Sequence, residues 1–306
     1  MSKITPNKYS TYNCIENCIA NICELNNVNH IPLFLFSWDF GYNQSKSTIG
    51  EKIHYHYSCD IDFEKTINLS KKYLNIQIIN NKLNSEEIIE NVLGGKNLII
   101  NIDSFDCSWN LAFQKFHYNH YYLLSKNSTT NEIIAIDSYS SPDIIFIDKN
   151  TLRKTLNTYS IDLYSNINKS LQELKSEFLN ICLSNIQKNI FELMREFGND
   201  LLKINSIQDL SPQITDVSNS HIIRRLSYIA NSRFNVMSLL SLLNYNHKYI
   251  LVMGEIHNEW EKLKNLFIKI IISKRTNLTL QAIEKIFYIS KIEEKLCSNI
   301  ISSKGM

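Results

Sequence analysis

The spacing of apolar and polar positions changes character along the chain. Between residues 97 and 148 the apolar positions come in short bursts separated by turn formers. Residues 97–103 (NLIINID), 118–125 (YNHYYLLS), 132–137 (EIIAID) and 143–148 (DIIFID) are each rich in β-branched or aromatic side chains. They predict an antiparallel meander. Elsewhere the period is helical. Ile15, Cys18, Ile19, Ile22 and Leu25 form one stripe over residues 14–25. Residues 63–73 and 85–92 also predict helices, with Gly94 and Gly95 ending the second. From residue 170 onward only helices are expected. Leu174, Phe178, Ile181, Ile186, Ile190, Phe191 and Met194 keep a period near 3.6 across 171–197, with Gly198 as the stop. Residues 222–243, 250–272 and 278–301 continue the pattern. The expected plan is an α+β domain over residues 1–165 followed by an all-α domain over 166–306.

Composition narrows the classes. The 306 residues are 44% apolar, enough for a sizeable core. Lys and Arg number 32 against 30 Asp and Glu, and no block of like charge stands out. Electrostatic binding of nucleic acid is therefore not expected. No stretch approaches the roughly 18 apolar residues that would span a bilayer. The opening MSKITPNKYS lacks the apolar run of a secretory signal. Seven cysteines without paired spacing read as reduced thiols. A cytoplasmic protein with no membrane partner is the expectation.

One of those thiols sits where a nucleophile belongs. Cys14 follows Asn13, in a stretch rich in N-cap residues, and opens the first helical stripe. A helix N-terminus favours thiolate and offers N–H groups to an oxyanion. A buried structural thiol is the plainer reading of Cys14, and Cys18, one turn further in, is the rival nucleophile. A base must come from elsewhere. His120 opens the strand 118–125, and Asp137 ends the strand 132–137. A hairpin of that length brings the two together, so the carboxylate can orient the imidazole. The plainer alternatives are a strand histidine and an aspartate capping the turn before Ser138. Other groups draw attention. His54, His56 and Cys59 (HYHYSC) have ligand-like spacing, but no fourth ligand is evident and no resident metal is expected. Phe34, Phe36, Trp38, Phe40 and Tyr42 alternate as core or as a wall of a substrate tunnel. Trp260 and Phe267 read as core. Arg224, Arg225 and Arg233 read as a solvated helix face or as contacts to a phosphate-bearing arm.

The order cysteine helix, strand histidine, strand aspartate is that of the papain-like fold. NCIENCIANICELNN resembles the catalytic helix of bacteriocin-processing double-glycine peptidases, and HYYLLSKNSTTNEIIAID resembles their histidine–aspartate hairpin. The whole plan is similar to the butirosin biosynthesis protein H-like family. There the strand before the histidine ends in an acidic residue, as Asp103 does in NIDSF, and two histidines are spaced as in FHYNH. The helical second domain has its likeness in RFNVMSLLSLL and EIHNEWEKLKNLFIKI. The resemblance implies a papain-like acyltransferase with Cys14, His120 and Asp137 as its catalytic residues. It implies an acyl chain carried on the phosphopantetheine arm of an acyl or peptidyl carrier protein, and a small amine as acceptor. No other cofactor is implied. The product would be an amide in nonribosomal-type antibiotic biosynthesis. Asp103, His117 and Trp38 are the expected substrate contacts, and residues 166–306 are expected to form part of the cleft. Papain-like peptidases place a glutamine shortly before the cysteine, whereas Asn7, Lys8, Tyr9 and Ser10 stand here. That departure leaves the second oxyanion donor unassigned and weighs against a peptidase.

Overall fold

The computed structural model describes residues 11–54, 63–164, 169–210, 217 and 220–303. Its helices and strands, in chain order, begin with α1 (Cys14–Leu25), β1 (Gly41–Tyr42), α2 (Ile49–Lys52), β2 (Ile53–His54) and α3 (Phe63–Leu74). There follow β3 (Ile76–Asn81), α4 (Ser85–Leu93), β4 (Leu98–Asp103), β5 (Asn119–Lys126), β6 (Ile133–Ile136) and β7 (Ile145–Phe146). Then come α5 (Lys149–Leu152), β8 (Thr155–Leu163), α6 (Leu171–Gln187), α7 (Ile190–Asp200), α8 (His221–Leu242), α9 (His247–Ser273) and α10 (Thr279–Ser302). No helix among the described residues is long and apolar enough to cross a membrane. The chain is α+β, with an antiparallel sheet and a helical C-terminal region.

The chain forms two compact units, but a single boundary near residue 165 does not separate them. Residues 34–61 group with 169–306, and residues 1–33 group with 62–168. The first unit holds a six-stranded sheet in the order β3-β8-β4-β5-β6-β7. The predicted meander is its β4 to β7. The strands β3 and β8 were not expected, and they extend the sheet beyond β4. Ile88 and Val92 of α4 pack with Ile100, Ile102, Tyr122 and Leu124 on one core. The alternation of β4 and β5 sets this register: Ile102 lies opposite His120, and Ile100 opposite Tyr122. Helix α4 starts on an Asn84–Glu87 capping box and stops at Gly94. Gly95 then takes φ +93, which glycine adopts without strain.

The second unit is built on helices. The helix expected over 171–197 is broken. Asn189 takes φ 54, and this left-handed residue separates α6 from α7. Gly198 is not the stop. It lies inside α7, where a Cβ would approach the Phe287 ring of α10 to 3.2 Å, so its lack of a side chain admits the neighbouring helix. Trp38, Phe178, Phe197, Trp260 and Phe267 are fully buried in this unit.

At its centre Glu293 is fully buried and accepts four hydrogen bonds. Arg233 donates from Nε and Nη2 at 3.0 Å each. Trp38 and Trp260 donate from their indole nitrogens at 2.7 Å each. Arg233 is therefore neither a solvated residue nor a contact for a phosphate-bearing arm. Glu293→Leu should cost about 3–5 kcal/mol, because it strands a buried guanidinium. Urea unfolding measures it. A cost below about 1 kcal/mol would show that the pair does not organise this core.

Candidate active site

All the catalytic residues expected from the sequence lie in the first unit. Helix α1 opens with a second capping box. The Asn13 side chain accepts from the Glu16 N–H at 2.8 Å, and the Glu16 carboxylate accepts from the Asn13 N–H at 2.9 Å. That motif sets where the helix begins and puts Cys14 at its first position. The backbone N–H groups of Cys14 and Ile15 thus lie where a helix makes no internal bond. All ten residues from Cys14 to Cys23 are buried, Glu16, Asn17 and Asn21 included. Asn21 holds the helix to the hairpin side by donating to Ser138 Oγ at 3.0 Å.

His120 is the second residue of β5, and Asp137 is the first residue past β6. Their contact, Nε2 to Oδ2, is 2.6 Å, and both are buried. The same carboxylate oxygen accepts from Trp109 Nε1 at 2.7 Å, and Oδ1 accepts from the Ser140 N–H at 3.2 Å. The Cys14 thiol interacts with the His120 ring. Nε2 is turned to Asp137, and Nδ1 is buried with no hydrogen-bond partner. Nδ1 is therefore the atom placed to receive the thiol proton, while Asp137 holds the proton on Nε2.

The electrostatics follow from these contacts. Burial by itself favours a neutral His120. Hydrogen bonds to Asp137 and Cys14, and their charges, outweigh it and push the imidazole up to about 10. Burial would likewise raise Asp137. The bonds from His120, Trp109 and Ser140 and the charge of the ring hold it below the usual carboxylate range instead. Glu16, with only 4% of its surface exposed, is pushed up by burial to about 8. Its carboxyl is thus largely neutral near pH 7, which lessens its opposition to a thiolate two residues away. Cys18 differs from Cys14. Burial, with Cys14 and Asp137 close by, pushes its thiol well above the ordinary value, so its thiolate is strongly disfavoured.

The other expected contacts divide. Asp103 and His117 do come together, with His117 Nδ1 2.8 Å from Asp103 Oδ2 at the end of β4. The His117 ring also stacks on Phe105. Trp38 is not a substrate contact. It is fully buried in the core of the helical unit, and its one polar group is taken by Glu293. Of the spaced ligands in HYHYSC, His54 is described, whereas His56 and Cys59 lie outside the described residues.

Several site residues carried no signal in the sequence. Trp109, Asn110 and Tyr118 belong to the segment between β4 and β5. Tyr118 Oη donates to Asn110 Oδ1 at 2.9 Å, and Asn110 Nδ2 donates to Ser140 Oγ at 3.0 Å. Ser140 Oγ lies 3.4 Å from His120 Nε2, so the chain reaches the imidazole. A tryptophan and an asparagine in a polar loop were the only traces available. Cys107 was missed as well. Its Sγ, a ring nitrogen of His120 and a carboxylate oxygen of Asp137 all lie within 4.8 Å of one another. Burial pushes the Cys107 thiol up to about 12. Neither a protein-family model nor a curated protein sequence matches the chain.

Proposed function

We propose that the protein is a cysteine acyltransferase of papain-like architecture, forming an amide from a carrier-bound acyl thioester and an amine. One observation carries this reading. The His120 ring interacts with the Cys14 thiol and meets a buried carboxylate at 2.6 Å. That arrangement suits a thiol nucleophile with an oriented base. The sequence likeness to butirosin biosynthesis protein H-like proteins supports the carrier protein, its phosphopantetheine arm and the antibiotic pathway. The oxyanion donors in this reading are the N–H groups at the start of α1.

Cys14 gives its proton to His120 and its sulfur attacks the thioester carbonyl. The tetrahedral intermediate collapses, and the carrier thiol leaves with the proton from His120. The amine then attacks the acyl-cysteine and loses a proton to His120, which returns it to the departing Cys14 sulfur. Cys14 exposes 8% of its surface, and such shielding disfavours water as the second nucleophile.

The test uses a short acyl thioester of N-acetylcysteamine, with and without a panel of primary amines. Intact-mass spectrometry should show one acyl group on Cys14, discharged as an amide when an amine is supplied. Free acid alone would make the protein a hydrolase. No adduct on Cys14 under any condition would leave it a binding module.

A further inference from the structure

We infer that Cys107, His120 and Asp137 form a binding site for a divalent zinc-like ion that silences the proposed thiol chemistry. The silencing rests on the mechanism above, whereas the site rests on geometry alone. A thiol, an imidazole and a carboxylate are all buried, and their donor atoms lie within 4.8 Å of one another. These are the three donor types that zinc takes most readily. A thiolate and a carboxylate bring two negative charges, so a dication bound there is neutral overall. A neutral site avoids the cost of burying net charge. Three protein donors leave the fourth position to water, as in open zinc sites.

The Nε2–Oδ2 pair needs little adjustment. With Zn–N and Zn–O near 2.0 Å and tetrahedral angles, nitrogen and oxygen donors stand about 3.3 Å apart. The Nε2–Oδ2 contact of 2.6 Å must therefore open by less than about 1 Å. Binding releases the Cys107 proton to solvent. The ring changes tautomer, its single proton moving from Nε2 to Nδ1.

That last point excludes catalysis. A neutral imidazole has one acceptor nitrogen. In the proposed mechanism Nε2–H faces Asp137 and Nδ1 takes the proton of Cys14. With the Nε2 lone pair on a metal, Nδ1 carries the hydrogen and cannot take the thiol proton. Bound metal and an active Cys14 are alternative states of one histidine.

Cobalt(II) reports the site without any turnover assay, through its thiolate charge-transfer absorption. Chelator-stripped protein should gain that absorption at one equivalent of Co2+, and Zn2+ should bleach it. Cys14→Ala should keep the band, whereas Cys107→Ala and Cys107→Ser should lose it. Each variant is checked for native unfolding behaviour. In the thioester assay, saturating Zn2+ should lower wild-type turnover more than tenfold. Cys107→Ser should need at least tenfold more Zn2+ than wild type to halve its own turnover. A band lost in Cys14→Ala but kept in folded Cys107 variants would overturn the site and move the metal to the nucleophile. If neither Cys107 variant folds, the Cys14→Ala protein alone decides. A one-thiolate band there supports the site, and its absence overturns it. Protein that binds Co2+ in this way but shows no thioester turnover would keep the site and sink the acyltransferase reading.

Discussion

Cys14→Ala should lower thioester turnover by about ten-thousand-fold or more, the scale on which covalent nucleophiles are lost, while leaving the unfolding transition nearly unchanged. The thiol stands at the first position of α1 and interacts with the His120 ring. Cys18→Ala should stay within about tenfold of wild type, since burial holds that thiol protonated. Iodoacetamide reads the same contrast directly. At about pH 6, well under the ordinary thiol value of about 8.5, native protein should be labelled at Cys14 and not at Cys18. Labelling at Cys14 should weaken in His120→Ala. A Cys14 that reacts only after denaturation would make it a structural thiol, and full activity in Cys14→Ala would remove it from the mechanism.

Asp137→Asn should be nearly as costly, between a hundred-fold and ten-thousand-fold, on the scale of losing the residue that sets a catalytic imidazole's tautomer. Asparagine keeps the volume but loses the charge. In the folded protein His120 is raised above its unfolded value of about 6.5 to about 10. The stabilisation from that rise is fully present below about pH 6.5 and is lost as pH climbs through about 10. Asp137 is held below its ordinary range, so its share is present above about pH 4 and fades on acidification. Between roughly pH 4 and 6.5 both contributions stand in full. Asp137→Asn should therefore lose most stability near pH 5.5 and least near pH 10, as urea denaturation at the two values would show. In the variant, burial outweighs what remains, and the imidazole should titrate below about 6.5, visible in its ring-proton NMR shifts. An equal loss of stability at both pH values would mean that the pair is not the source of the shift.

The meander and the starts of the helices were legible because each is a local pattern. Alternation with β-branched residues marked β4 to β6 within a residue or two. The hairpin length put His120 and Asp137 within reach, and they meet at 2.6 Å. Asn13 announced the start of α1, and Gly94 and Gly95 announced the end of α4. These signals lie within a few residues of what they control, since caps, turns and side-chain alternation act over that distance.

Other features depended on partners far away in the chain. The segment that carries Trp38 packs with the helical unit because Trp38 and Arg233 share Glu293, a residue more than 250 positions beyond the tryptophan. Nothing near Trp38 in the sequence distinguishes an indole bound to a distant carboxylate from one lining a tunnel. Strand β8 exists because β3 and β4 pair with it on either side. Trp109 and Cys107 reach Asp137 and His120 only once the segment after β4 folds back over the end of the hairpin. The sequence by itself determined the local elements and the histidine–aspartate pair joined by a short hairpin. The tertiary structure alone decided which thiol meets the imidazole, what clasps the carboxylate, and where the segment after α1 belongs. Periodicity records which face of an element is apolar, but the element that covers that face is chosen by packing among residues that sequence distance does not relate.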